Sequence, residues 1–140
     1  MALFNKGVRL GALNRSEDEI AAYDDVISRF GDSSEAAVQK SLASALYNKA
    51  VTLGDLNRSE DELAAYDNLI GRFGDSSATA LQEEVARALF NKGLTLGALN
   101  RREEAVAVYD DLIGRFGDSS AAALQGIVKK ARRERDGGAA

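Results

Sequence analysis

At 140 residues, 45% of them hydrophobic and 29% charged, the chain is long enough to build one hydrophobic core and polar enough to remain in solution. Its net charge of −4, from 22 acidic against 18 basic residues with no basic stripe, argues against a nucleic-acid partner, and the absence of Cys and His removes disulfides, thiolate nucleophiles, imidazole bases and the usual zinc ligands. No apolar run reaches the roughly 18 to 20 residues of a membrane span and the N-terminus carries no charged-then-apolar pattern, so a cytoplasmic protein with no membrane partner, no cofactor and no metal is expected.

Taken in order, the chain repeats itself. Ala2-Leu3-Phe4-Asn5-Lys6-Gly7 returns as Ala45-Leu46-Tyr47-Asn48-Lys49-Ala50 and as Ala88-Leu89-Phe90-Asn91-Lys92-Gly93, a period of 43 residues. A unit of that length cannot bury its apolar face alone and has to stack on its copies. The copies span 2–44, 45–87 and 88–130 of a single repeat domain covering 1–140, followed by a tail at 137–140 that is expected to be disordered.

The first element is a short helix over about Ala2 to Leu13. After the break Asn14-Arg15, a second helix opens at Ser16, with Glu19 three residues on, the pattern of a capping box. Ile20, Tyr23, Ile27 and Phe30 form its buried stripe. Phe30-Gly31-Asp32-Ser33-Ser34 ends it: the glycine suits a left-handed C′ residue, and Asp32 or a following Ser suits the cap of the next helix.

The next helix, of the kind called A below, runs from about Ser34 to Leu56 on Val38, Leu42, Leu46 and Leu53, some 33 Å at 1.5 Å per residue. A helix of the B kind follows from Ser59, again with Glu62, on Leu63, Tyr66, Ile70 and Phe73, and Gly74 closes it. The third copy repeats the pair, Ser77 to Leu99 and then Val106, Tyr109, Ile113 and Phe116 up to Gly117, but Arg102-Glu103-Glu104-Ala105 loses the capping box. A last A-type helix over 119–136 keeps Leu124, Ile127 and Val128 and then turns basic at Arg132 and Arg133. The order is therefore A-B-A-B-A-B-A, seven helices in antiparallel hairpins, an all-α chain. Gly11, Gly54 and Gly97, with Gly7 and Gly93, fall inside A helices, where close approach of a neighbouring helix explains them better than a phosphate cradle, which needs a loop feeding a helix start.

The run Leu89-Phe90-Asn91-Lys92-Gly93-Leu94-Thr95-Leu96-Gly97, followed by Glu103-Glu104-Ala105-Val106-Ala107-Val108-Tyr109, resembles the tetratricopeptide repeat in all three copies. The family unit is 34 residues, so each copy here is about nine longer, with the extra residues at the start of helix A. The family's Pro after helix B is Gly here, and its leucine between Asn and Gly is Lys6, Lys49 and Lys92. The resemblance implies a right-handed α-solenoid and, because those lysines would face Glu19 and Glu62 across the A/B contact, Lys6–Glu19 and Lys49–Glu62 ion pairs.

It also implies a peptide-binding groove on the inner face of the A helices. Carried onto this sequence, that face comprises Phe4, Asn5 and Val8; Tyr47, Asn48, Val51 and Asp55; and Arg87, Phe90, Asn91 and Leu94. Apolar groups flanked by an amide ladder suit an extended or helical peptide, although packing between repeats accounts for the aromatics equally well, and a bond to a neighbouring helix's backbone accounts for the amides. The carboxylate clamp of some family members is incomplete, since Phe4 and Val8 stand where its Lys and second Asn belong. The expected function is a non-catalytic protein- or peptide-binding scaffold. Two other readings are a self-associating array, head-to-tail or domain-swapped, and an accessory domain of a longer enzyme or sensor. The near-identity of the copies also fits recent duplication or a consensus-like array with no specific ligand.

Overall fold

The structure, a computed structural model, describes the backbone of residues 7–137 and the side chains of residues 15–137. Those residues form six helices: α1 (Gly7–Phe30), α2 (Ala36–Asp55), α3 (Ser59–Phe73), α4 (Thr79–Ala98), α5 (Arg102–Phe116) and α6 (Ala122–Arg135). No strand occurs among them. Helices α2 and α4 are the A helices of the second and third copies, α3 and α5 their B helices. The chain divides into two compact units, Met1–Ala65 and Tyr66–Ala140, with the boundary inside α3.

In the first unit α1 packs against α2, burying Ile20, Leu42, Ala45, Leu46 and Leu53. Lys49 Nζ lies 2.6 Å from Asp24 Oδ1, and Arg58 Nη1 lies 3.4 Å from Glu17 Oε1. In the second unit α4 packs against both α5 and α6, and α5 also against α6. This interface buries Val85, Ala86, Leu89 and Leu96 of α4, Ala105, Tyr109, Leu112 and Phe116 of α5, and Leu124, Val128 and Ala131 of α6.

The A helices end where the sequence indicates, by a Schellman turn. Arg58 N–H donates to Leu53 O and Asn57 N–H to Gly54 O; Arg101 N–H donates to Leu96 O and Asn100 N–H to Gly97 O. The left-handed residue that makes this possible is Asn57 at φ 60° and Asn100 at φ 63°. The glycines that close the B helices were expected in that role, but Gly117 is right-handed at φ −60°. Glycine is needed there for space: a Cβ on Gly117 would meet Ile113 O at 2.5 Å, because the chain folds tightly back onto that carbonyl.

The starts of the A helices also differ from expectation. Their N-cap residues are Glu35, Ala78 and Ala121, and none makes a side-chain cap bond. Instead the first serine of each Ser-Ser pair accepts the N–H of the cap residue, Ser33 from Glu35, Ser76 from Ala78 and Ser119 from Ala121, each at 3.1 Å. The hydroxyl thus orders the loop one step before the helix, and the terminal N–H groups of the helix are not served by it.

Two further corrections concern ion pairing and helix count. Lys49 reaches Asp24 on the preceding helix and not Glu62, whose carboxylate lies under Gly54 at 2.9 Å from the position a Cβ would take. Lys6 lies outside the described residues, and so does any pairing it makes with Glu19. The first copy has no A/B hairpin: α1 runs through Asn14-Arg15-Ser16, so Ser16 sits inside a helix and caps nothing. Leu10-Gly11-Ala12-Leu13-Asn14-Arg15 is identical to Leu96-Gly97-Ala98-Leu99-Asn100-Arg101, which does turn. Local sequence therefore leaves both conformations open, because the left-handed Asn costs roughly 1–2 kcal/mol and only hairpin packing offsets it. The buried stripe lapses with it: Phe30 is 47% exposed, against 7% for Phe73 and 6% for Phe116.

In the α4/α5 hairpin Gly93 lies against the ring of Tyr109, where a Cβ would overlap Cε1 and Cζ, whereas Gly97 has open space. Gly97→Ala is expected to raise stability by about 0.5–1 kcal/mol through helix propensity, and Gly93→Ala to lower it by about 1–3 kcal/mol through overpacking, as measured by denaturant midpoints. Burial pushes the Tyr109 phenol up to about 12, with the charge of Glu134 adding to the effect and Arg102 opposing it. The unfolded phenol titrates near 10, so above that pH the unfolded state has lost a proton the native state keeps. Stability is therefore expected to fall between about pH 10 and pH 12, and a Tyr109→Phe variant to show a shallower fall in the same urea titrations.

Candidate functional site

The face singled out on the A helices is built twice, once in each unit. On α2, Tyr47 is half-buried while Asn48, Val51 and Asp55 are exposed on successive turns. On α4, Arg87 and Leu94 are exposed and Phe90 and Asn91 are half-buried between them. Helical spacing places these residues on one side because i, i+3, i+4 and i+7 share a face. Phe4 and Asn5 lie outside the described residues, as does the side chain of Val8.

Several of these residues are already engaged inside the fold. The Phe90 ring packs on Tyr109 with centroids 6.0 Å apart and planes inclined at 44°, so the aromatic serves the α4/α5 hairpin. Asn91 Nδ2 donates to the Tyr66 hydroxyl at 3.3 Å, a bond to a side chain of the preceding helix and not to its backbone. Next to it Lys92 Nζ binds Asp67 Oδ1 at 2.6 Å. Arg87 lies 4.0 Å from Glu84 Oε1, too far for a strong bond and exposed enough to contribute little.

What remains outward on each face is an aliphatic side chain among polar ones. Val51 is 37% exposed, and Leu94, at the same place in the next copy, is 42% exposed. Large hydrophobic side chains this exposed are few among the described residues: Phe30 and Leu99 are the others. Asn48 and Asp55 flank Val51, whereas Arg87 and Asn91 both precede Leu94 and Ala98 stands where Asp55 does. Such a face offers burial for an apolar group and hydrogen bonds for its backbone, and nothing on it activates a nucleophile or shuttles a proton. Among the described residues no group of carboxylates is placed to hold a metal, and no helix is long and apolar enough to cross a membrane.

A second concavity was not singled out by the sequence. Between α1 and α2 runs a cleft of about 400 Å³ lined by Tyr23, Val26, Lys40, Ser41, Ser44, Ala45 and Asn48. It continues past Val26 and Ser41 to Phe30, Ala37 and Val38. Tyr23, Phe30 and Val38 belong to stripes expected to be buried, and α1 runs unbroken where the sequence predicts a hairpin. The hexapeptide shared by 10–15 and 96–101 is helical in the first place and turns in the second.

Residues 87–119, running from Arg87 on α4 through α5 to Ser119, match the family model of the tetratricopeptide repeat. Thr79–Ala86 of α4 precedes the matched segment. No curated protein and no solved structure matches the chain.

Proposed function

Residues 87–119 belong to the tetratricopeptide repeat family, whose members generally serve as protein-interaction scaffolds, and from that premise we propose that this chain is a non-catalytic binding scaffold acting through its A helices. The observation that carries the reading is the recurrence of an exposed aliphatic residue at one repeat position, Val51 on α2 and Leu94 on α4, in helices that bury Leu42, Leu46 and Leu53 and Leu81, Leu89 and Leu96. Asn48 supplies an exposed amide beside Val51, and Arg87 a cation on the face that carries Leu94. A peptide that places an apolar side chain against either residue gains burial there and finds polar partners one turn from Val51 and two turns from Leu94. The ligand is a protein segment in a cytoplasmic setting, and the chain acts as an adaptor within one repeat domain.

Selection of a displayed random-peptide library on the wild-type protein, followed by titration of the enriched peptides on Val51→Asp and Leu94→Asp variants, tests this. Loss of at least about tenfold in affinity, with helical circular dichroism and unfolding midpoint unchanged, is the expected outcome; a methylene-rich contact of roughly 1.5–3 kcal/mol has that effect. Equal binding by wild type and both variants would remove the A-helix face from consideration.

A further inference from the structure

We propose that the α1–α2 cleft receives residues 2–13 of a second copy of this chain, so that two chains exchange their first helical segments about a two-fold axis near Arg15. The inference stands on observations other than those behind the peptide-binding reading, although Asn48 borders both the cleft and the Val51 face. Its template is inside the molecule. In the second unit α4 packs on both α5 and α6, and the α5 residues Tyr109, Leu112 and Phe116 are buried. Tyr23, Val26 and Phe30 hold the same repeat positions two copies earlier, with Val in place of Leu112, and α1 and α2 stand where α5 and α6 do. There the cleft is open and its aromatics are half-buried or exposed.

The occupant is written in the chain. Ala2-Leu3-Phe4-Asn5-Lys6-Gly7 differs from Ala88-Leu89-Phe90-Asn91-Lys92-Gly93 at no position, and in the second unit Gly93 is the residue that lies against Tyr109. Within one chain the unbroken α1 sets Gly7 about 24 Å along the helix from residue 23, so its backbone does not fold back onto its own cleft. Two straight α1 helices laid antiparallel and crossing at Arg15 bring Gly7 of each onto Tyr23 of the other. Neither then needs the left-handed Asn14 of a closed hairpin, and both clefts are filled.

Charge supports the same pairing. Residues 1–15 contain Lys6, Arg9 and Arg15 and no acid, whereas residues 16–30 contain Glu17, Asp18, Glu19, Asp24 and Asp25 against Arg29 alone. Antiparallel contact sets the basic half of one helix against the acidic half of the other, and parallel contact sets like against like.

The chain has no cysteine, so cross-linking has no background. An equimolar mixture of Gly7→Cys and Tyr23→Cys chains, equilibrated and mildly oxidised, is expected to yield a covalent heterodimer, since a disulfide needs Cα atoms within about 7 Å. Light scattering of the wild type is expected to give twice the chain mass, and insertion of three glycines between Leu13 and Asn14 to raise the dimer's Kd by at least about tenfold by letting each hairpin close on itself. A wild type that stays monomeric across the concentration range would overturn the proposal. So would an internal disulfide in the Gly7→Cys, Tyr23→Cys double variant without any cross-link in the mixture.

Discussion

The structure depends on a helix that has to be covered from two sides. Helix α5 carries Tyr109, Leu112 and Phe116 on a face too wide for one neighbour, and α4 and α6 share it. Coverage from both sides is what turns a marginal 15-residue helix into a stable one, because a helix of that length in water owes little to its own hydrogen bonds. The same need explains the small residues on α4. Gly93 and Ala86 bring its backbone close to α5, and Tyr109 fills the space they leave. Beside Phe30 no second helix covers α1 among the described residues, and the phenyl ring stays in contact with water although the same Phe stands at 73 and 116.

Polar contacts fix the register of what the apolar faces bring together. A cation on each A-type helix meets a carboxylate on the helix before it at one place in the repeat: Lys49 with Asp24, Lys92 with Asp67 and Arg135 with Asp110. The carboxylates are more than half exposed, so each pair contributes modestly to stability. Their value lies in geometry, since a slip of one turn would separate every pair at once. Arg115 adds a further constraint by donating to the carbonyl of Gly74 at 3.2 Å, and Arg102 does the same for the carbonyls of Glu134 and Arg135.

Helix type and the places of the A/B turns in the later copies were legible, because apolar spacing and the Asn-Arg punctuation reflect the physics that builds those elements. The B-helix stripes were legible in part, since Leu69, Ala105 and Leu112 are fully buried where Ile70, Val106 and Ile113 were expected and are only half-buried. What could not be read was which of two local solutions wins. Leu-Gly-Ala-Leu-Asn-Arg turns at 96–101 and stays helical at 10–15, a difference set by packing partners and invisible in the six residues themselves. Glycine punctuation misled in a related way. Gly117 looked like a left-handed cap, yet it is right-handed and small because the chain folds back onto Ile113. On the candidate face, Val51 and Leu94 are exposed, whereas Phe90 and Asn91 engage Tyr109 and Tyr66 inside the fold. Side chains of one helix stripe can serve either neighbour, and sequence spacing alone does not divide them.

The recurring cation–carboxylate joint has an evolutionary corollary. Since each A-type helix meets its predecessor through the same fitting, a gene segment duplicated or deleted in whole multiples of 43 codons leaves every joint intelligible to its new neighbour. A chain lengthened or shortened by whole units needs no new interface, whereas an out-of-phase junction leaves each such cation and carboxylate unmatched, at a cost their exposure keeps modest.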